Sequence, residues 1–140
     1  MAFTYAVNAQ KLKVIDVPDA VKTAFTAMYP DSKVIKWELE DKKYEGEFKV
    51  SGVESSALFE ANGTYIQTET EITVSLLPDA AKEYVSKNLA GDKIKEAAKI
   101  TDAKGIVIYE AEVGGRDYLF DSNGVFLSKS TDSSDNDDEK

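Results

Sequence analysis

Any chemistry in this chain must be done by carboxylates, amines and hydroxyls. Its 140 residues hold 26 Asp and Glu against 17 Lys and Arg, with no His and no Cys. Without His, the commonest general base and the commonest transition-metal ligand are missing. Without Cys there are no disulfides, thiol nucleophiles or thiolate zinc sites. A carboxylate-only enzyme or a Ser-Lys enzyme stays within this alphabet, but both are disfavoured, and Ser55 and Ser56 have no base nearby in sequence. No cofactor is expected, with calcium, bound through oxygen ligands, kept as the alternative.

Three groups of acidic residues are candidates. Glu45 and Glu47 stand two apart in KYEGEFKV, and Glu110 and Glu112 stand two apart in VIYEAEV. On a strand such pairs share a face and lie roughly 7 Å apart. With Lys49 they mark a docking surface for a basic protein segment or a cation, although a solvated face that keeps a sheet soluble is the plainer role. A retaining glycosidase needs its carboxyls about 5 Å apart, so the spacing argues against catalysis. The second group is Glu60 with Asn62 and Asp121 with Asn123, a metal-ligating set if calcium binds. Asp121-Ser122-Asn123-Gly124 is similar to the start of an EF-hand loop but lacks its spacing and closing glutamate, and a hairpin turn explains it more simply. The third is the C-terminal stretch TDSSDNDDEK, with five acids and one lysine.

That stretch has nothing apolar to bury and is expected to be disordered. It carries −4 of the net −9, leaving −5 for the preceding 130 residues. An acidic body argues against nucleic acid and anionic membranes, which need clustered Lys and Arg. No apolar run reaches the roughly 20 residues of a membrane span, so no insertion of the mature chain is expected. Val7-Asn8-Ala9 has the small-residue pattern of a signal-peptide cleavage site, which makes the N-terminus an arm or a signal remnant.

The elements that must position these residues come in two copies. VPDAV at 17–21 returns as LPDAA at 77–81, YEGEF at 44–48 as YEAEV at 109–113, and LFEANGTYI at 58–66 as LFDSNGVFL at 119–127. Three matches in one order indicate a tandem duplication. Each copy opens on a helix, with Pro18 and Pro78 suited to the first helical position. Val21, Ala24, Phe25 and Met28 form one apolar stripe, and Ala81, Tyr84, Val85 and Leu89 the other. Strands follow with period-2 alternation: Ile35, Trp37 and Leu39, then Tyr44, Gly46 and Phe48, on the apolar face. Trp37, Tyr44, Tyr109 and Tyr118 therefore belong to a core rather than to a stacking platform. Asn62-Gly63 and Asn123-Gly124 predict type I′ hairpins. DKIKEAAKIT at 92–101 has helical propensity but takes the place of the first strand, and the repeat predicts a strand there. The division is 1–16 arm, 17–76 first repeat, 77–130 second repeat and 131–140 tail.

The V/L-P-D-A helix start, the Y-E-x-E strand and the L-F-[ED]-x-N-G hairpin together resemble the PepSY-like proteins of Bacteroidetes, small exported proteins whose fold is similar to the beta-lactamase inhibitory protein. The resemblance covers residue 17 to about 130. It implies an α+β fold: tandem α-β-β-β-β repeats forming an antiparallel sheet of about eight strands with helices packed on one face. It also implies a periplasmic address and an unassigned role, with a calcium-regulated label on some members. The expected function is a non-catalytic, inhibitor-like module that binds an unknown protein or peptide on the open sheet face, the alternative being a calcium-responsive protein.

Overall fold

A computed structural model describes residues 9–130. The signal-remnant pattern at Val7-Asn8 and the tail from Thr131 lie outside the described residues. Strand β1 (Gln10–Leu12), within the segment read as an arm, and a short 3-10 turn precede helix α1 (Asp19–Met28). Strands β2 (Lys36–Glu40), β3 (Lys43–Val50), β4 (Val53–Phe59) and β5 (Tyr65–Ile72) follow. The pattern then repeats as a 3-10 turn, α2 (Asp79–Asn88), β6 (Ile94–Asp102), β7 (Val107–Val113), β8 (Arg116–Asp121) and β9 (Phe126–Lys129). The fold is α+β, each repeat contributing α-β-β-β-β, and nine strands stand where about eight were expected because β1 adds one. Strands neighbour one another in chain order, β1 to β5 and β6 to β9.

The chain divides into two compact units. The first runs up to Thr70 and includes Thr101–Ile106, and the second takes Glu71–Ile100 with the residues from Val107 onward. Each unit has its own core. In the first, Val17, Val21 and Phe25 pack on Trp37, Phe48, Ala57 and Phe59. In the second, Leu77, Ala81 and Val85 pack on Ala97, Ala111, Val113, Tyr118 and Phe120. Phe25 meets Trp37 and Phe48 edge-on at 6.0 and 5.0 Å between ring centroids, the arrangement that ring quadrupoles favour. DKIKEAAKIT is indeed extended: burying Ala97 in the second core outweighs its helical propensity.

Two details of the helices differ from expectation. Pro18 and Pro78 stand at the N-cap, with extended ψ of 140° and 141°, and the carbonyl of each accepts the first hydrogen bonds of its helix. Met28 is exposed, because the helix ends there and the chain turns. Tyr29 takes its place, 4.5 Å from the Phe48 ring. Its hydroxyl lies 2.5 Å from Thr68 Oγ1, which also meets the Tyr65 hydroxyl at 2.6 Å.

The turns are distributed otherwise than the Asn-Gly pairs suggested. Type I′ geometry, with two consecutive positive φ angles, occurs at Asp41-Lys42 (47° and 64°), Ser51-Gly52 (50° and 81°) and Gly114-Gly115 (60° and 78°). These close β2–β3, β3–β4 and β7–β8, where Glu40 pairs with Lys43, Val50 with Val53 and Val113 with Arg116. At Asn62 and Asn123 φ is not positive; only the following glycine is left-handed. The amides of Gly63 and Gly124 bond the carbonyls of Glu60 and Asp121, and the ladder slips by one residue at Leu58/Phe59 and at Leu119/Phe120. This is the type I turn with a glycine bulge.

Why this string is retained in both repeats then becomes plain. A Cβ on Gly63 would lie 2.6 Å from the Ala20 carbonyl oxygen, and one on Gly124 would lie 2.8 Å from the Ala81 nitrogen and 2.9 Å from Pro78 Cβ. The bulged hairpin of each repeat sits on the first turn of that repeat's helix. The two best-matched strings, P-D-A and N-G, are in contact.

Candidate functional site on the polar face of the sheet

Alternation sends Lys36, Glu38 and Glu40 from β2, and Lys43, Glu45, Glu47 and Lys49 from β3, to the face away from the first core. The two-residue turn at Asp41-Lys42 sets the register, placing Glu38 directly opposite Glu45 and Lys36 opposite Glu47. The row continues through Leu58 and Ser56 on β4 to Gln67 and Glu69 on β5. Glu38 and Glu45 form a like-charge cross-strand pair, an unfavourable neighbour relation on a sheet.

The face is not uniformly wet. Glu45 is 6% exposed and Glu110 7%, whereas Glu47 and Glu112 are half-buried and Lys49 is exposed. Within each pair one glutamate is therefore covered and its neighbour partly open. Adjacent strands stand under 5 Å apart, so the side chains of the flanking rows shield the central ones.

The carboxylate oxygens of Glu38, Glu45 and Glu47 converge to within 4.8 Å of one another. Their convergence removes the distance argument against an acid–base pair, because side chains lean together across strands in a way the repeat along one strand does not show. Lys36 Nζ pairs with Glu38 and lies 4.0 Å from Glu47. Its ammonium is held above the usual lysine range, chiefly by the Glu38 hydrogen bond and against the opposing effect of burial.

Glu45 is the most perturbed group of the cluster. Burial pushes its carboxyl up to about 8, the charges of Glu40, Glu38 and Glu47 add to the rise, and Lys36 offsets only part of it. Burial also raises Glu47, against the pull of Lys36. Glu40 is raised by burial and by Asp41 and Glu38. In the second repeat Glu112 is raised by burial and by Glu96, with Lys95 opposing. The two repeats differ here. At the offset of 60 residues that superposes VPDAV on LPDAA, Lys36, Glu38 and Glu40 correspond to Glu96, Ala98 and Ile100. The three-carboxylate cluster therefore belongs to the first repeat.

Among the other candidates, Asp121 Oδ1 accepts from the amides of Asn123 and Val125 at 2.8 and 3.0 Å. Asn62 Oδ1 accepts from the Thr64 amide at 2.9 Å. Asp102 makes the same pair of bonds in the turn before β7. These oxygens cap their turns, and Glu60 and Asn123 are exposed beside them. Among the described residues the acidic group close enough to share an ion is Glu38, Glu45 and Glu47. Sequence reasoning passed over Glu38 and Lys36, although the two-residue turn at Asp41-Lys42 would have paired them with Glu45 and Glu47.

A family model described as "Putative beta-lactamase-inhibitor-like, PepSY-like" matches residues 5–55 and 50–128. The chain belongs to this PepSY-like family. Solved structures similar to it include a DUF2874 family protein from Bacteroides ovatus, 21% identical, TM-score 0.73, with 85% of this chain and 91% of that one covered. A protein from Bacteroides eggerthii described as periplasmic is 20% identical, with TM-score 0.73 and coverage of 81% and 88%. A BLIP-like protein from Bacteroides fragilis is 22% identical, with TM-score 0.64 and coverage of 81% and 85%. At these identities the likeness is one of fold. Among curated proteins none matches. Among the described residues no helix is long and apolar enough to cross a membrane.

Proposed function

We propose that this PepSY-like chain is a non-catalytic, exported module that binds a protein or peptide through the polar face of its sheet, with a basic segment of the partner meeting the acidic rows. The observation that carries the reading is Glu45. A carboxyl held at 6% exposure among three other acids costs stability, and such groups concentrate where a surface is built for a ligand. In each unit the helix covers the opposite face with apolar side chains, so the polar face is the one left for a partner. The inhibitor-like family description and the periplasmic description of a similar structure support protein binding and export.

In the first unit the half-buried Glu47 and the exposed Lys49, and in the second the half-buried Glu112, are the residues a partner of that unit would touch first. The test places a photo-crosslinking residue at Lys49 in the full chain, exports it in the native host and identifies the adduct. The purified partner is then titrated against the parent chain and against Glu47→Lys/Glu112→Lys, which spares the buried glutamates. Binding lost on charge reversal sustains the proposal; equal binding by both chains defeats it.

A further inference from the structure

We infer that Glu38, Glu45 and Glu47 form a binding site for one divalent cation of the calcium class on the polar face of β2 and β3. Two observations meet here. The first is spacing. Calcium binds oxygen at 2.3–2.6 Å, so ligand oxygens on opposite sides of the ion lie up to roughly 4.8 Å apart. The three carboxylates converge to within 4.8 Å with no rearrangement of the strands. Magnesium at about 2.0–2.1 Å requires a tighter, near-octahedral shell, which favours calcium here.

The second is the state of Glu45. Its side chain is covered to 6% exposure and aimed into the cluster, and among the described residues no donor hydrogen-bonds its carboxylate. A buried carboxylate without a donor is costly, and a ligand cation relieves that cost. Lys36 supplies only part of the missing charge to Glu45: its ammonium pairs with Glu38 and stands 4.0 Å from Glu47. The Lys36 side chain is 35% exposed, so it can leave the cluster for water when an ion arrives. The second repeat, with Ala98 in the place of Glu38, lacks the third carboxylate, which fixes the stoichiometry at one. Three carboxylates completed by water put the affinity among the weaker calcium sites, on the order of 10⁻⁴–10⁻³ M.

A cation needs no protein partner, so this site stands or falls apart from the docking reading. The experiment is calorimetric titration of the metal-stripped full chain at pH 9, where all three carboxyls are ionised, with calcium chloride, magnesium chloride serving as control. The acidic tail is present in every variant, so its contribution is the same in each comparison. One saturable calcium site is expected, with magnesium at least tenfold weaker. Glu45→Gln should weaken calcium at least tenfold, Asp121→Asn should leave it unchanged, and Lys36→Met should tighten it several-fold by removing the competing charge. Thermal unfolding of each metal-stripped variant confirms that it is folded. Unchanged calcium binding by Glu45→Gln would overturn the assignment. So would the absence of saturable binding to about 20 mM in both the parent chain and Lys36→Met, since that lies well above the expected range.

Discussion

Replacing Glu45 by Gln removes the charge while keeping the shape, and the structure fixes both the sign and the size of the result. The Glu45 carboxyl is raised from its ordinary 4.5 to about 8 in the folded chain. Below pH 4.5 it is protonated in both folded and unfolded states and costs nothing. Between 4.5 and 8 the unfolded chain has released its proton while the native state keeps it, so stability falls as pH rises. Each unit of pKa difference corresponds to about 1.4 kcal/mol, which puts the ceiling at about 5 kcal/mol once the pH exceeds 8. Glu45→Gln escapes this loss. The variant should match the parent chain near pH 4 and exceed it by about 2 kcal/mol at pH 6. By pH 9 the gain should be several kcal/mol, on the order of 10 °C in Tm for a chain of this size. The assay is urea unfolding in metal-free buffer across pH 4–9, followed by fluorescence. The single tryptophan, Trp37, lies in the first core behind this face and reports on the unit concerned. Parallel pH profiles for the two chains would refute the reasoning, as would a variant less stable than its parent at pH 9.

The remaining predictions concern the scaffold. Gly63→Ala and Gly124→Ala should each cost about 2–4 kcal/mol in urea unfolding, combining a left-handed backbone with a clash against the helix start. Gly46→Ala would place a methyl 3.0 Å from the Trp37 ring and should cost about 1–3 kcal/mol, most of it recovered when Trp37→Phe is added. Tyr29→Phe removes a hydroxyl from Thr68 and should cost about 1 kcal/mol with no change in the sheet's circular dichroism. Asp121→Ala removes the acceptor of two amides and should cost about 1–3 kcal/mol by thermal unfolding, equally with calcium and with chelator, because the oxygen caps a turn.

The duplicated order of elements was legible because alternation and helical spacing survive in both copies, strongly enough to override the helical propensity of DKIKEAAKIT. The turns were harder. Asn-Gly is compatible with two turn geometries, and the choice between them is made by packing against Ala20 and Ala81, residues some 40 positions away. Asp41-Lys42 carries no glycine, so its type I′ form shows only in the backbone angles. Missing that turn meant missing the register, and with it the approach of Glu38 to Glu45. Met28 was assigned to the core because periodicity extends a stripe past the point where the helix stops. Burial of Glu45 and Glu110 was not legible at all, since alternation tells which face a residue takes but not how much of it the neighbouring rows cover.

The seating of each bulged hairpin on the start of its own helix bears on how the chain came to be. A contact that closes within one copy needs no new surface when a gene segment is duplicated, so both copies inherit a working joint from the first generation. P-D-A and N-G match between the two copies, whereas the polar rows differ. Where the first copy carries Glu38 and Glu40, the second carries Ala98 and Ile100. Ancestral reconstruction should accordingly find the joint already present in the unit from which both copies descend.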